Sequence, residues 1–219
     1  MPLTPWSLIA LFLVVVFLVT LIQVGIITIA FEKLGLSPQA GLTLVLGSLF
    51  GSAINIPVYR RAHATPGFDL TELLDPRVWQ LPTAPRSATL IAVNLGGCII
   101  PVAVSLYLFV QHALSAVTTL LAIAIVSTVS YRFSRLIPGI GIGMPVFLAP
   151  LVSALVGLLL DPEHSAPLAY ISGTLGVLIG ADLLHLRDIS ASRVRVASVG
   201  GAGTFDGIFI TGIVAALLA

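Results

Sequence analysis

Long apolar runs alternate with short polar breaks along this chain. A membrane-spanning helix needs about 20 mostly apolar residues, and seven runs approach that length. The pattern therefore predicts an all-α fold, a polytopic transmembrane helix bundle of about seven spans. The predicted spans are 6–31, 36–59, 87–111, 114–131, 136–160, 168–186 and 199–219.

Two of the runs contain glycine and proline close together, near residues 94–101 and 136–145. These residues disfavour a continuous helix. Backbone without regular hydrogen bonding is tolerated at membrane depth only where it is buried in protein or lines a wet cavity. We therefore expect broken or re-entrant segments at both places.

The longest polar stretch, residues 60–86, is rich in proline. It separates the second and third predicted spans. We expect it to form a cytoplasmic or interfacial loop within a single transmembrane domain that covers residues 1–219.

The arginines define an orientation for the seven spans. All of them fall in loops on one side of the predicted bundle, whereas Lys33 falls on the other. Arginine-rich loops stay in the cytoplasm. The sequence thus predicts a multi-pass protein of the cytoplasmic membrane, with its N-terminus inside and its C-terminus outside. The arginines are Arg60, Arg61, Arg77, Arg86, Arg132, Arg135, Arg187, Arg193 and Arg195.

Composition narrows the possible partners. Hydrophobic residues make up 58% of the chain and charged residues 9%, with a formal net charge of +1. So few charges favour the lipid bilayer as the solvent and argue against a nucleic-acid partner, which would require a basic surface. The single cysteine, Cys98, excludes an internal disulfide and a cysteine-based zinc site. No cofactor is predicted.

Two carboxylates lie inside predicted spans. Asp182 lies near the cytoplasmic end of the sixth and Asp206 near the cytoplasmic start of the seventh. At about 1.5 Å per residue, they lie roughly 6 and 9 Å inside their spans. Ionisable residues in a membrane usually face the bundle interior and indicate function. We therefore expect the two side chains to face one another on neighbouring helices.

Three interpretations of this pair remain open. Two close carboxylates, one protonated and one ionised, provide the acid and the base for amide hydrolysis. The same pair suits a proton or cation transporter or channel, and a third interpretation is a structural or assembly role. Asp182, His185 and Asp188 are spaced along one helix flank and form a weak metal-ligand candidate, although no metal site is predicted.

Glycines surround both aspartates. Gly176 and Gly180 form a GxxxG pair, and Gly203, Gly207 and Thr211 recur every four residues. Small residues at this spacing allow close helix packing, which is the interpretation favoured for the glycines alone.

The Gly-Gly-Ala-Gly-Thr-Phe-Asp-Gly-Ile-Phe stretch at 200–209 and the Gly-Ala-Asp stretch at 180–182 resemble an uncharacterised family of bacterial and archaeal multi-pass membrane proteins. That family is a domain of unknown function. The resemblance implies a membrane location and no activity.

A weaker resemblance is to the presenilin and signal-peptide-peptidase class of intramembrane aspartyl proteases. Asp182 and Asp206 take the positions of the two catalytic aspartates in that class. Under the hydrolase interpretation a transmembrane peptide is a possible substrate, and the residues that we expect to bind it are Gly201, Gly203, Gly207 and Asn94. The motif departs from the class pattern, because two residues separate Gly203 from Asp206.

Overall fold

The computed structural model describes residues 23–62, 88–137, 141–186, 196–201 and 207–219, together with Val16. It is mostly helical. The α-helices are α1 (Gln23–Lys33), α2 (Pro38–Gly51), α3 (Ile100–Gln111), α4 (Ala116–Phe133), α5 (Leu148–Leu160), α6 (Ser165–Val177) and α7 (Gly207–Leu218). A 3-10 turn, Pro162–His164, precedes α6. Two π-helical turns, Leu95–Ile99 and Leu178–Leu183, precede α3 and follow α6.

Two of these helical segments are long and apolar enough to cross a membrane: α4, and the continuous segment Pro162–Leu183 that contains α6. A third is counted if α1 and α2, which meet at a bend of 111°, form one broken span. Gly35, with a φ of +72°, and the Ser37 cap of α2 explain the bend. These findings fit a membrane protein, but the described helices do not support the predicted seven spans. The first predicted span lies largely outside the described residues.

A small sheet corrects the all-α prediction. Strands β1 (Asn55–Ala62) and β2 (Ala88–Asn94) are antiparallel, and β2 pairs in parallel with β5 (Val196–Val199). The second predicted span therefore ends as a helix at Gly51, and the third begins as a strand. The error arises because hydropathy alone does not separate a short apolar strand from the end of a helix.

The segment near residues 94–101 is a strand-to-helix transition rather than a broken helix. The π-helical turn Leu95–Ile99 passes directly into α3, and Pro101 lies in the first turn of that helix. Proline has no N–H to donate, and the carbonyl oxygen of Gly96, in the turn before it, accepts from Ser48 Oγ of α2 at 2.7 Å instead. The described parts of the 136–145 segment form a hairpin of β3 (Arg135–Ile137) and β4 (Gly141–Gly143). No re-entrant helix is described at either place.

Helix α6 is the centre of the bundle. Every residue of it except Leu175 is buried, as expected for a helix that is apolar on all sides. A Cβ on Gly176 would lie 2.6 Å from Cγ1 of Val126 in α4, and a Cβ on Gly180 would collide with the carbonyl oxygen of Ser127. The predicted close helix packing of this glycine pair is confirmed.

The helices alternate in direction, so the bundle has two distinct ends. We call one the sheet end, formed by β1, β2, β5 and the C-terminal ends of α4 and α6. The other is the turn end, formed by the turns at 34–37, 112–115 and 161–164 and the C-terminus of α7. At the turn end Lys33 Nζ donates to the carbonyl oxygen of Leu217, and Ser165 Oγ donates to that of Ala219.

The predicted 60–86 loop begins within β1, and residues 63–87 lie outside the described residues. Its cytoplasmic or interfacial placement stays a prediction.

Candidate functional site

Asp182 lies at the sheet end, in the π-helical turn that follows α6. Within this turn the N–H of Leu184 donates to the carbonyl oxygen of Ile179 at 3.0 Å, five residues back. Such single turns widen a helix locally and are common at functional sites. The side chain of Asp182 is half-buried, which places a carboxylate at the boundary between the helix bundle and a cavity.

The sheet fixes the orientation of this carboxylate. The N–H of Gly200, directly after β5, donates to Asp182 Oδ2 at 2.7 Å. Gly200 has a φ of +85°, and a Cβ there would lie 2.7 Å from the carbonyl carbon of Gly97. Only glycine fits a position that combines this backbone conformation with such a close approach. The turn after β5 therefore rests on the turn after β2 and presents its N–H to Asp182.

A cavity of about 370 Å³ opens beside Asp182. The described part of its wall is apolar apart from Asp182 and Thr211. Parts of β4, the start of α5, the end of α6 and the first two turns of α7 contribute to it. The apolar side chains of the wall include those of Ile142, Met144, Phe147, Val177 and Ile208. A mainly apolar cavity with few polar groups is the usual form of a binding site for an organic ligand.

A family model described as a protein of unknown function (DUF1614) matches residues 49–218. The chain belongs to the DUF1614 family. The match includes Asp182 and every described residue of the cavity wall. It confirms the resemblance to an uncharacterised family, whereas the resemblance to presenilin-type proteases stays a prediction. No curated protein and no solved structure matches the chain.

The second predicted carboxylate of this DUF1614 protein, Asp206, lies outside the described residues, as does Gly203. Asp206 immediately precedes Gly207, the first residue of α7. Two residues after Asp206 comes Ile208, which lines the same cavity as Asp182. Gly201, with a φ of +95°, directly follows the glycine that binds Asp182. The roles predicted for Gly201, Gly203 and Gly207 in substrate binding stay predictions.

Asn94 is completely buried and ties the sheet to the helices. Its Nδ2 donates to the carbonyl oxygen of Ser52 at 2.7 Å and to Asn55 Oδ1 at 3.1 Å. Its Oδ1 accepts from the N–H of Gly97 at 2.8 Å. Ser198 Oγ donates to the same Asn55 oxygen, so the network joins all three strands. These contacts give Asn94 a structural role, and its role in substrate binding stays a prediction.

His185, a weak candidate metal ligand, stacks on Tyr131 of α4 with ring centroids 4.7 Å apart. Its Nδ1 lies 3.2 Å from the carbonyl oxygen of Gly180 and 3.1 Å from that of Ala181, which is the geometry of a donating Nδ1–H. Asp188, the third candidate ligand, lies outside the described residues. The described part of the chain contains no group of three or more residues arranged to hold a metal ion.

Sequence reasoning missed the contact between Gly200 and Asp182 and the contribution of β4 to the cavity. Gly200 belongs to the glycine-rich motif at 200–209, but its contact with Asp182 is not predictable from the sequence. The contact depends on the parallel pairing of β2 with β5, two strands more than 100 residues apart along the chain. The Gly-Gly pairs at 96–97 and 200–201 were the available signal. Each follows a strand of the sheet.

Proposed function

We propose that this DUF1614 protein is a membrane-embedded hydrolase that uses Asp182 and Asp206 as an aspartate dyad to cleave a transmembrane peptide. The observation that supports the proposal best is the location of the Asp182 carboxylate. It lies against a mainly apolar cavity whose wall includes the first turns of α7, the helix that begins directly after Asp206.

The chemistry needs two carboxylates that share an acid and a base role. One removes a proton from water, the water oxygen adds to the peptide carbonyl, and the other donates a proton to the leaving amine. Ile208, which lines the cavity beside Asp182, lies two positions after Asp206 in the sequence. This chain connection supports a site in which Asp182 and Asp206 approach the same substrate.

The cavity lining favours a peptide over an ion. A path for a proton or cation needs polar groups or water along its length, whereas the described wall of this cavity presents polar side chains only at Asp182 and Thr211. Apolar side chains of a membrane-embedded peptide match such a wall. The transporter interpretation and the purely structural interpretation both remain distinguishable by experiment.

The decisive variant is Asp182→Asn. An asparagine oxygen still accepts the hydrogen bond from Gly200, so the fold survives, but an amide performs no acid–base chemistry. We expect cleavage to fall by about 10²–10⁴-fold. The assay reconstitutes the protein in liposomes with synthetic transmembrane peptides rich in Leu, Ala, Phe and Gly, and detects new peptide termini by mass spectrometry.

The matched control is Asp161→Asn at the turn end. Asp161 Oδ1 also accepts a backbone hydrogen bond, from the N–H of His164 at 3.2 Å, but Asp161 lies at the opposite end of the bundle. This variant should cleave at the wild-type rate. Full activity in Asp182→Asn would contradict the dyad. A wild-type protein that cleaves none of the peptides but carries a proton or sodium flux, lost in Asp182→Asn, would establish the transporter interpretation instead.

We also propose that the sheet end faces the cytoplasm, in the cytoplasmic membrane. All four described arginines, Arg60, Arg61, Arg132 and Arg135, belong to the sheet end, and such residues are retained on the cytoplasmic side. In a Cys98→Ala background, a membrane-impermeant thiol reagent should label Arg60→Cys only from inside and Glu163→Cys only from outside. The reverse pattern would overturn this orientation.

A further inference from the structure

A second cavity, of about 730 Å³, lies at the sheet end beside the C-terminus of α4. It is lined by Arg132, Phe133 and Arg135 on one side and by Gly143, Met144 and Pro145 on the other. Arg132 belongs to the last turn of α4, and Arg135 is the first residue of β3. The turn between α4 and β3 therefore places two arginines in the wall of one cavity.

Neither guanidinium is neutralised by the described part of the chain. Both arginine side chains are exposed. Among the described residues, one ion pair forms, between His164 and Asp161. Neither arginine has a carboxylate partner among those residues. The described carboxylate of the sheet end is Asp182, which is oriented by Gly200 in the other cavity. Among the described residues, the two positive charges thus have no carboxylate partner and can receive an anion.

Large apolar side chains next to the two arginines are exposed as well. Phe133 is 51% exposed, and Val146 and Phe147, which follow Pro145 in the opposite wall, are 73% and 72% exposed. An anion that binds the arginines as a free ion would leave these side chains uncovered. A ligand that carries both a phosphate and an acyl chain would bind the two arginines with its phosphate and cover the exposed apolar side chains with its acyl chain.

The depth of the cavity matches the headgroup region of a bilayer. Helix α4 has 18 residues, which at about 1.5 Å per residue gives about 27 Å, close to the hydrocarbon thickness of about 30 Å. If α4 spans the membrane, Arg132 and Arg135 lie at one membrane–water interface in either orientation.

We propose that this cavity binds one anionic phospholipid, with its phosphate between Arg132 and Arg135 and an acyl chain along Phe133, Val146 and Phe147. Basic pockets between membrane helices recognise anionic headgroups in this way. Gly143 and Met144 line both this cavity and the Asp182 cavity, so the bound lipid borders the candidate catalytic site. The proposal rests on α4 spanning a membrane and not on the chemistry of Asp182.

The test measures lipid retention on the purified full chain. The protein is incubated in a neutral detergent with phosphatidylglycerol or with phosphatidylcholine, and bound lipid is counted by native mass spectrometry across a titration. We expect one phosphatidylglycerol to bind in preference to phosphatidylcholine. Each of Arg132→Gln and Arg135→Gln should weaken that binding about 5-fold, and the double variant about 25-fold.

Three controls make the result specific. Arg60→Gln removes an exposed arginine of β1 and should leave binding unchanged. Arg132→Lys keeps the charge and should retain more phosphatidylglycerol binding than Arg132→Gln. Arg132→Lys also provides a folded reference if the double variant is unstable. Soluble glycerophosphate should compete only weakly, because it lacks the acyl chain.

Several outcomes would overturn the proposal. One is equal binding of phosphatidylglycerol and phosphatidylcholine. Another is wild-type binding of phosphatidylglycerol in both Arg132→Gln and Arg135→Gln. A third is a loss of binding in Arg60→Gln as large as in those two variants. Competition by glycerophosphate as strong as by phosphatidylglycerol would replace the lipid site with a simple phosphate site. Because the readout is binding, none of these outcomes depends on whether the protein cleaves a peptide.

Discussion

Among the described residues, the two ends of the bundle carry opposite net charge, and their polar groups make different kinds of contact. The turn end holds Glu32, Asp161 and Glu163 together with Lys33, whereas the described charges of the sheet end are four arginines and Asp182. At the turn end, polar side chains make contacts that hold the helices together. His112 Nε2, for example, lies 3.1 Å from the carbonyl oxygen of Leu34, and the edge of its ring faces His164.

At the sheet end the closing contacts are instead made by backbone and by a buried amide. Strand pairing, Asn94 and the glycine turns hold that end together. Asp182 lines one cavity, and Arg132 and Arg135 line the other. The comparison teaches that the end built from backbone hydrogen bonds is the end whose described charged side chains line the two cavities.

The largest expected effect is that of Gly96→Ala. A Cβ at this position would collide with the carbonyl oxygen of Ser48 and the N–H nitrogen of Ser52 in the adjoining end of α2. Because both contacts are with backbone, relief requires the strand-to-helix turn to move, and we expect a loss of about 3 kcal/mol or more in the free energy of unfolding. Thermal unfolding in detergent micelles measures this loss.

The control for that variant is Gly47→Ala in α2, the helix that Gly96 packs against. A Cβ there would meet only Cδ1 of Ile100, at 3.7 Å, so this variant should be as stable as the wild type or slightly more stable. If Gly96→Ala also unfolds at the wild-type temperature, the close backbone packing assigned to the sheet end is wrong.

The next largest effect is expected from Asn94→Ala. The change leaves the carbonyl oxygen of Ser52 and the N–H of Gly97 without their buried partner, and we expect a cost of about 2–3 kcal/mol. The same unfolding measurement applies. A cost below about 0.5 kcal/mol would mean that water replaces the amide and that the network does not hold the strands together.

The smallest effect should come from the turn end, in Ser165→Ala. This variant removes one hydrogen bond, from Ser165 Oγ to the carbonyl oxygen of Ala219 at 3.1 Å. We expect a loss of about 0.5–1.5 kcal/mol, well below that of Asn94→Ala. A cost equal to that of Asn94→Ala would show that both ends depend on polar side chains to the same degree, which contradicts the comparison.

Local features were predicted best from the sequence. The apolar runs contain helices α2, α3, α5 and α7 and overlap α4 and α6. The GxxxG pair at Gly176 and Gly180 packs against α4 as expected. The described helices do not support the count of seven spans. Strands replace helix at the end of the second run and at the start of the third, and the apolar helices Leu95–Gln111, Leu148–Leu160 and Ile208–Leu218 are short. Pro57 lies at an irregularity of the edge strand β1, a position where proline is tolerated, but its sequence context resembles a kinked helix equally well.

By itself, the sequence determined a lipid-compatible composition, the apolar runs, and the position of Asp182 at the end of the sixth run. Only the tertiary structure decided that Gly200 would bind this carboxylate and that β4 would separate two cavities at the sheet end. Periodicity reports contacts a few residues apart along one helix or strand. The pairing of β2 with β5, by contrast, depends on backbone groups that meet only when the whole bundle has folded.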